Sequence, residues 1–299
     1  RYRGESSSWC LMHDGVHPLW YNFKNRNRFQ LEWTNPINTS KTVPKRRMQS
    51  PILPGPEHAH IASQFKFLDE TTGEAYIEYI EPLVSHLRWP LAKCLGPQQP
   101  EQLFGILFRG YLIPPTEIPR AAQFVYYDAG ATSWSGGEGG GPSLSYFYGV
   151  WKRHGIHWNE TYAFEKKRSV ESFSKTVPLQ YRNSVHFQQC AVTSQAANHS
   201  KETPFLPLLI QETSSPEDYR LLKLDIDSPD EEEGSIAYIL EHDERIVDEI
   251  LWEHHIKGNY LMAPNWSPFP PNTPVVPLED SYDLFLRMRQ KGIRAHSWV

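Results

Sequence analysis

From residue 121 onward, short apolar runs alternate with amphipathic ones, and this limits what the chain can fold into more than any other feature. Residues 124–128 (FVYYD) read as a strand closing on an acid, and residues 161–165 (TYAFE) as a second. Further strands are expected at 185–192, 219–227, 249–254 and 293–299. Between them, Leu144, Phe147, Tyr148 and Trp151 recur at i, i+3, i+4 and i+7, which predicts a helix with one apolar face. Ile236, Ile239, Leu240 and Val247 mark another helix, and 282–290 a further one stopped by Gly292. The alternation predicts an α/β fold over 121–299, a Rossmann-like and mainly parallel sheet flanked by helices. Ligands of such sheets bind outside the carboxyl ends of the strands. Here those ends carry Asp128, Glu165, Asp225, Asp227, Glu253, His254 and His255.

The first strand leads through Asp128-Ala-Gly-Ala131 and a glycine-rich stretch into a helix, a turn of the nucleotide-binding type. Gly130 lets backbone approach a ligand, and the helix start offers free N–H groups. Glu165, closing the second strand, stands where a carboxylate accepts hydrogen bonds from ribose hydroxyls. The turn is not G-x-G-x-x-G, and a carboxylate at Asp128 would repel a pyrophosphate. It suits a cationic or amine-bearing ligand such as S-adenosylmethionine. For Asp128 a ligand role is favoured over a cap of the turn that follows, whereas Glu165 with Lys166, Lys167 and Arg168 reads equally as a solvated charge cluster.

In order along the chain, five pieces resemble the FkbM-type branch of the S-adenosylmethionine-dependent methyltransferases. Tyr126-Tyr-Asp-Ala-Gly-Ala131 is similar to the family's first motif, and Ala163-Phe-Glu165 to the end of its second strand. Residues 187–193 resemble the third strand, Leu222-Lys-Leu-Asp-Ile-Asp227 the motif L-K-I-D-V-E, and Leu251-Trp-Glu-His-His255 the fifth strand. The resemblance covers residues 121–299. It implies that Asp128 and Gly130 hold the methionine end of the cofactor, that Glu165 holds the ribose, and that Asp225 lies beside the transfer site. The implied activity is O-methylation of a sugar, glycan or small hydroxylated metabolite. The hydroxyl proton would go to a base among Asp225, Asp227, His254 and His255. The chain departs from the family in three places. Asp227-Ser-Pro-Asp-Glu-Glu-Glu-Gly234 replaces E-G-A-E, the run Gly136-Gly-Glu-Gly-Gly-Gly141 lengthens the first loop, and one strand stands where a closing antiparallel hairpin is usual. These departures keep a second reading in view, a methyltransferase-fold protein without catalysis that serves as a glycan-binding or assembly component.

The carboxylates and imidazoles of Asp225, Asp227, Glu253, His254 and His255 would also suit a divalent metal. The favoured reading is instead a neutral, hydrogen-bonded histidine packed over the sheet and no metal. Asp230 to Glu233 read as the solvated acidic start of a helix. His13 and His17, and His58 and His60, have ligand-like spacing but fall in Pro- and Gly-rich chain and read as solvated loop.

Residues 1–120 differ in kind. They hold 13 of the 25 prolines, and 14 Lys+Arg against 11 Asp+Glu, where residues 121–299 hold 16 against 24. They read as a Pro-rich, irregular extension that wraps the sheet domain or carries a protein partner. Residues 75–80 (AYIEYI) fit a helix or a strand equally. A formal net charge of −5 gives no footprint for nucleic acid, and no apolar run reaches the roughly 18–20 residues that span a bilayer. Cys10, Cys94 and Cys190 form no C-x-x-C. Four N-x-S/T sequons, at Asn38, Asn159, Asn198 and Asn265, together with a first residue that is not Met, point to a glycoprotein of the secretory lumen or exterior. A cytoplasmic or organellar site is the alternative.

Overall fold

The structure is a computed structural model that describes residues 46–48, 63–69, 75–80, 115, 121–135, 144–254 and 278–298. His13, His17, His58, His60, His255, Cys10, Cys94, Asn38, Asn265 and the Gly136–Gly141 run lie outside the described residues.

Three strands belong to the extension: β1 (Arg46–Met48), β2 (Ser63–Asp69) and β3 (Ala75–Ile80). They form an antiparallel sheet in that order, with Phe67 opposite both Met48 and Tyr76. The 75–80 run is therefore a strand, in keeping with its β-branched and aromatic residues, and the extension is less irregular than its prolines suggested.

The second unit follows the alternation read from the sequence. Its elements are β4 (Phe124–Ala129), α1 (Leu144–Arg153), β5 (Glu160–Phe164), α2 (Val170–Thr176), β6 (Val185–Gln188), α3 (Leu206–Thr213), β7 (Tyr219–Leu224), α4 (Pro229–Glu241), β8 (Glu249–Glu253), α5 (Leu278–Gln290) and β9 (Arg294–Trp298). The strands pair in the order β6-β5-β4-β7-β8-β9, and every pairing is parallel. Strand order reverses between β4 and β7, which makes that junction the switch point of a doubly wound sheet.

Helices cover both faces. Tyr126, Leu221, Leu251 and Trp298 pack with Phe147 and Trp151 of α1 and Phe173 of α2 on one side. Tyr127, Leu222, Leu224 and Trp252 pack with Ile210 of α3, Ile236 and Ile239 of α4 and Phe285 of α5 on the other. Burial on both faces explains why β4, β7 and β8 are apolar almost throughout rather than alternating. Gly292 ends α5 as expected: at φ 84° it donates to the Arg289 carbonyl while Ile293 donates to that of Met288, a Schellman closure that needs the left-handed conformation.

Three sequence boundaries move. The third strand stops at Gln188, because residues 189–192 leave the sheet. Val247 is buried but lies beyond α4, on the segment entering β8. The fourth strand ends at Leu224, so Asp225 to Asp227 form a turn rather than strand. Among the described residues, no helix is long and apolar enough to cross a membrane.

Candidate functional site

At the carboxyl edge the register aligns Phe164, Ala129, Leu224 and Trp252 across four adjacent strands. The next residues along, Glu165, Gly130, Asp225 and Glu253, therefore stand in one row across the switch point. Gly130 and Ala131 both donate to the Phe164 carbonyl, at 2.9 and 3.0 Å. Gly130 has φ 95°, and a Cβ built there would fall 1.7 Å from the Asp225 carbonyl oxygen. Glycine is thus demanded by the close approach of the β4 and β7 ends.

Asp128 lies under that row. It is 1% exposed and accepts from the Tyr126 hydroxyl at 2.9 Å, with the Lys223 ammonium 3.3 Å from its other oxygen. Burial raises its carboxyl above the ordinary value, and Lys223 and Tyr126 offset part of that rise. Both oxygens of Asp128 are engaged inside the protein, so its side chain is not presented to a ligand. Glu165 is half-buried; one oxygen accepts from the Lys167 N–H at 2.7 Å, which folds the loop back on itself.

Lys223 reaches past Asp128 to Asp225, 2.9 Å away. The Asp225 side chain is 24% exposed and also accepts from Trp298 Nε1 at 3.1 Å. Burial works to raise its carboxyl, but Lys223 and the hydrogen bonds from Glu253, Lys223 and Trp298 outweigh it and hold the group below the ordinary range. Glu253, 3% exposed, moves well upward, first through burial and then through Asp225. The two acids share one hydrogen bond, which moves their carboxyls in opposite directions.

Asp227 is exposed and holds φ 55°, the one non-glycine residue at positive φ among those described. Its carboxyl is raised by burial and by Asp225 and lowered by Lys167 and Lys223, with Glu165 also acting on it. The loops after β5 and β7 therefore converge over the end of β4. Carboxyl oxygens of Asp225, Asp227 and Glu253 lie within 4.8 Å of one another. Lys223, 2.9 Å from Asp225, supplies a positive charge beside that group.

His254 packs as the sequence suggested. It is buried, stacks on Trp252 with ring centroids 3.9 Å apart, and its Nδ1 meets the Ser281 hydroxyl at 2.8 Å. Its Nε2 points towards Glu233, 3.7 Å away, and burial lowers its basicity. His255 lies outside the described residues.

Two participants were not singled out in the sequence. Lys223 was legible in principle, because a lysine in the middle of the apolar strand YRLLKL needs buried carboxylate partners. Glu232 was read as part of a solvated run, yet it is 1% exposed. Its oxygens accept from the Ile226 N–H at 3.0 Å and from Trp252 Nε1 at 3.1 Å. It thereby ties the Asp225–Asp227 turn to β8, and burial pushes its carboxyl up to about 8. The rest of the run does start a helix, with Pro229 and the acids in the first turn of α4.

Comparison with family models, with curated proteins and with solved structures found no match to this chain.

Proposed function

We propose that the chain is an S-adenosylmethionine-dependent O-methyltransferase whose acceptor is a sugar, glycan or small hydroxylated metabolite. The observation that carries this reading is the row of Glu165, Gly130 and Asp225 at the ends of three adjacent strands, across the switch point of a parallel sheet. The residues suit an adenosyl ligand. Glu165 keeps an oxygen for ribose hydroxyls, and the acids of the edge favour a ligand with positive charge over a phosphate. When bound, S-adenosylmethionine supplies an electrophilic methyl group.

The side chains divide the remaining work. Asp225, saturated with donors, acts as a fixed charge. Asp227, exposed beside it, is the group that would take the acceptor's hydroxyl proton. His254 is committed to Ser281 and faces Glu233, so it supports the β8 end rather than the proton transfer. Asp128 departs from the role that the resemblance implies and acts from beneath, through Lys223.

Titration calorimetry of the full chain with S-adenosylmethionine tests the reading. Binding that Glu165→Ala weakens about tenfold or more, the worth of a charge-assisted hydrogen bond or two, supports it. Folded protein that ignores millimolar ligand overturns it. The non-catalytic assembly component then stands, a reading favoured by the engagement of Asp128 inside the protein.

A further inference from the structure

Resting on the methyltransferase reading, we propose that Lys223 is the positioning residue of the site: its ammonium, set between Asp128 and Asp225, fixes the Asp225 carboxylate at the sheet edge as the counter-charge to a cationic methyl donor.

Lys223 sits at the fifth position of a six-residue strand that is buried throughout, and its side chain is 3% exposed. An ammonium in such a place persists only with carboxylate partners. It has two, and they differ. Asp128, 2% exposed, is an internal anchor, whereas Asp225 reaches the edge at 24% exposure. The lysine therefore couples the interior of the sheet to a carboxylate that reaches its edge.

Three groups favour the ionised form of Asp225 and outweigh the neighbouring carboxyls that oppose it. Lys223 on its own strand and Trp298 of β9 both bind its Oδ2. Glu253 of β8 shares a hydrogen bond with it; Asp128 of β4, engaged by the same lysine, Glu232 of α4 and Asp227 of the adjoining turn are the carboxyls that oppose its charge. Asp225 is thus a preorganised negative charge, which is worth most where a positive charge must be met without reorganisation. A sulfonium carries such a charge; the thioether left after methyl transfer does not. The site should therefore bind donor more tightly than product.

The experiment is titration calorimetry with S-adenosylmethionine and with S-adenosylhomocysteine between pH 6 and 8. The sulfonium lowers the basicity of the donor's own amino group, so the affinity ratio is compared between wild type and variant at each pH, where the ligands' own titration cancels. The wild-type chain is expected to favour the sulfonium by about tenfold, the order of one partly solvated charge contact. In Lys223→Met, Asp225 takes up a proton at the acid end. The ratio should fall towards one at pH 6 and recover as pH rises, and Lys223→Arg should restore the wild-type profile. A lysine with only a structural role would lower both affinities together and leave the ratio unchanged, which overturns the proposal.

If Lys223→Met does not fold, carboxyl-carbon NMR of the wild-type chain decides. Asp225 must remain ionised below the ordinary carboxylate range, and titration at or above that range overturns the proposal. A wild-type chain that binds neither ligand sinks the methyltransferase reading instead, and the NMR titration still judges the contact between Lys223 and Asp225.

Discussion

Replacing Asp128 by Ala tests whether the first-motif acid belongs to the interior or to a ligand. The Lys223 ammonium is 3.3 Å from Asp128 Oδ1, and the two side chains are 3% and 2% exposed. At an effective dielectric of about 20 that separation is worth about 5 kcal/mol of attraction. The cost of desolvating Asp128 disappears with the residue, and Lys223 keeps Asp225 at 2.9 Å, so the net loss is smaller. Removing one partner of a buried pair costs roughly 3–5 kcal/mol when the other is left alone. With Asp225 remaining, the lower end applies, about 3 kcal/mol, which includes the orphaned Tyr126 hydroxyl. That corresponds to a fall of about 6–12 °C in Tm for a unit of this size. Urea unfolding of the ligand-free chain, followed by tryptophan fluorescence and far-UV circular dichroism, measures it. The pair predicts a coupling of about 2 kcal/mol in a double-mutant cycle with Lys223→Met. A loss below about 1 kcal/mol, or additive single variants, would refute the argument and return Asp128 to the ligand side of the sheet edge.

Glu232, with its carboxyl raised to about 8 by burial, binds a proton more readily in the folded than in the unfolded chain. Its contribution to stability is therefore complete below the ordinary glutamate range and is lost as pH climbs towards 8. The slope is at most about 1.4 kcal/mol per pH unit, and Glu232→Gln should flatten it in urea titrations at pH 5 to 9. Gly130→Ala places a methyl against the Asp225 carbonyl at positive φ and should cost about 3 kcal/mol or more in the same assay; a neutral result would mean that the β4 and β7 ends can separate. Of the two described sequons, Asn198 is exposed on a short turn, whereas the Asn159 side-chain Oδ1 accepts from the Phe124 N–H at 2.9 Å and Thr161 is fully buried. Protein made through the secretory route should carry glycan at Asn198, read as a glycosidase-sensitive mass shift; an unmodified Asn198 would remove the support for a luminal setting that these sequons lend.

The sheet was legible because its signals are local and repeated. Each buried parallel strand needs an apolar run, and each covering helix needs a 3.6-residue stripe, so β4, α1, β7 and β8 could be read from their own residues. The turn after β7 was not legible in the same way. A strand over 219–227 would put Asp225 and Asp227 on one face by alternation, but β7 ends at Leu224 and the positive φ of Asp227 breaks the alternation. Their carboxyl groups meet through a turn rather than through a pleat. Asp128 and Glu232 failed for a shared reason. An acid at a strand end, or in the first turn of a helix, has the same sequence whether it faces water or is folded inward. The choice rests on partners distant in the chain: Lys223 is 95 residues from Asp128, and Trp252 is 20 from Glu232. The residue that could have resolved the first case was the lysine, not the acid. A charged side chain inside an apolar central strand cannot remain unpaired. With Lys223 taken as buried, two of the nearby acids had to turn towards it, Asp128 from inside the sheet and Asp225 from its edge. Under that constraint Asp225, Asp227 and Glu165, not Asp128, become the side chains that reach the edge of the sheet.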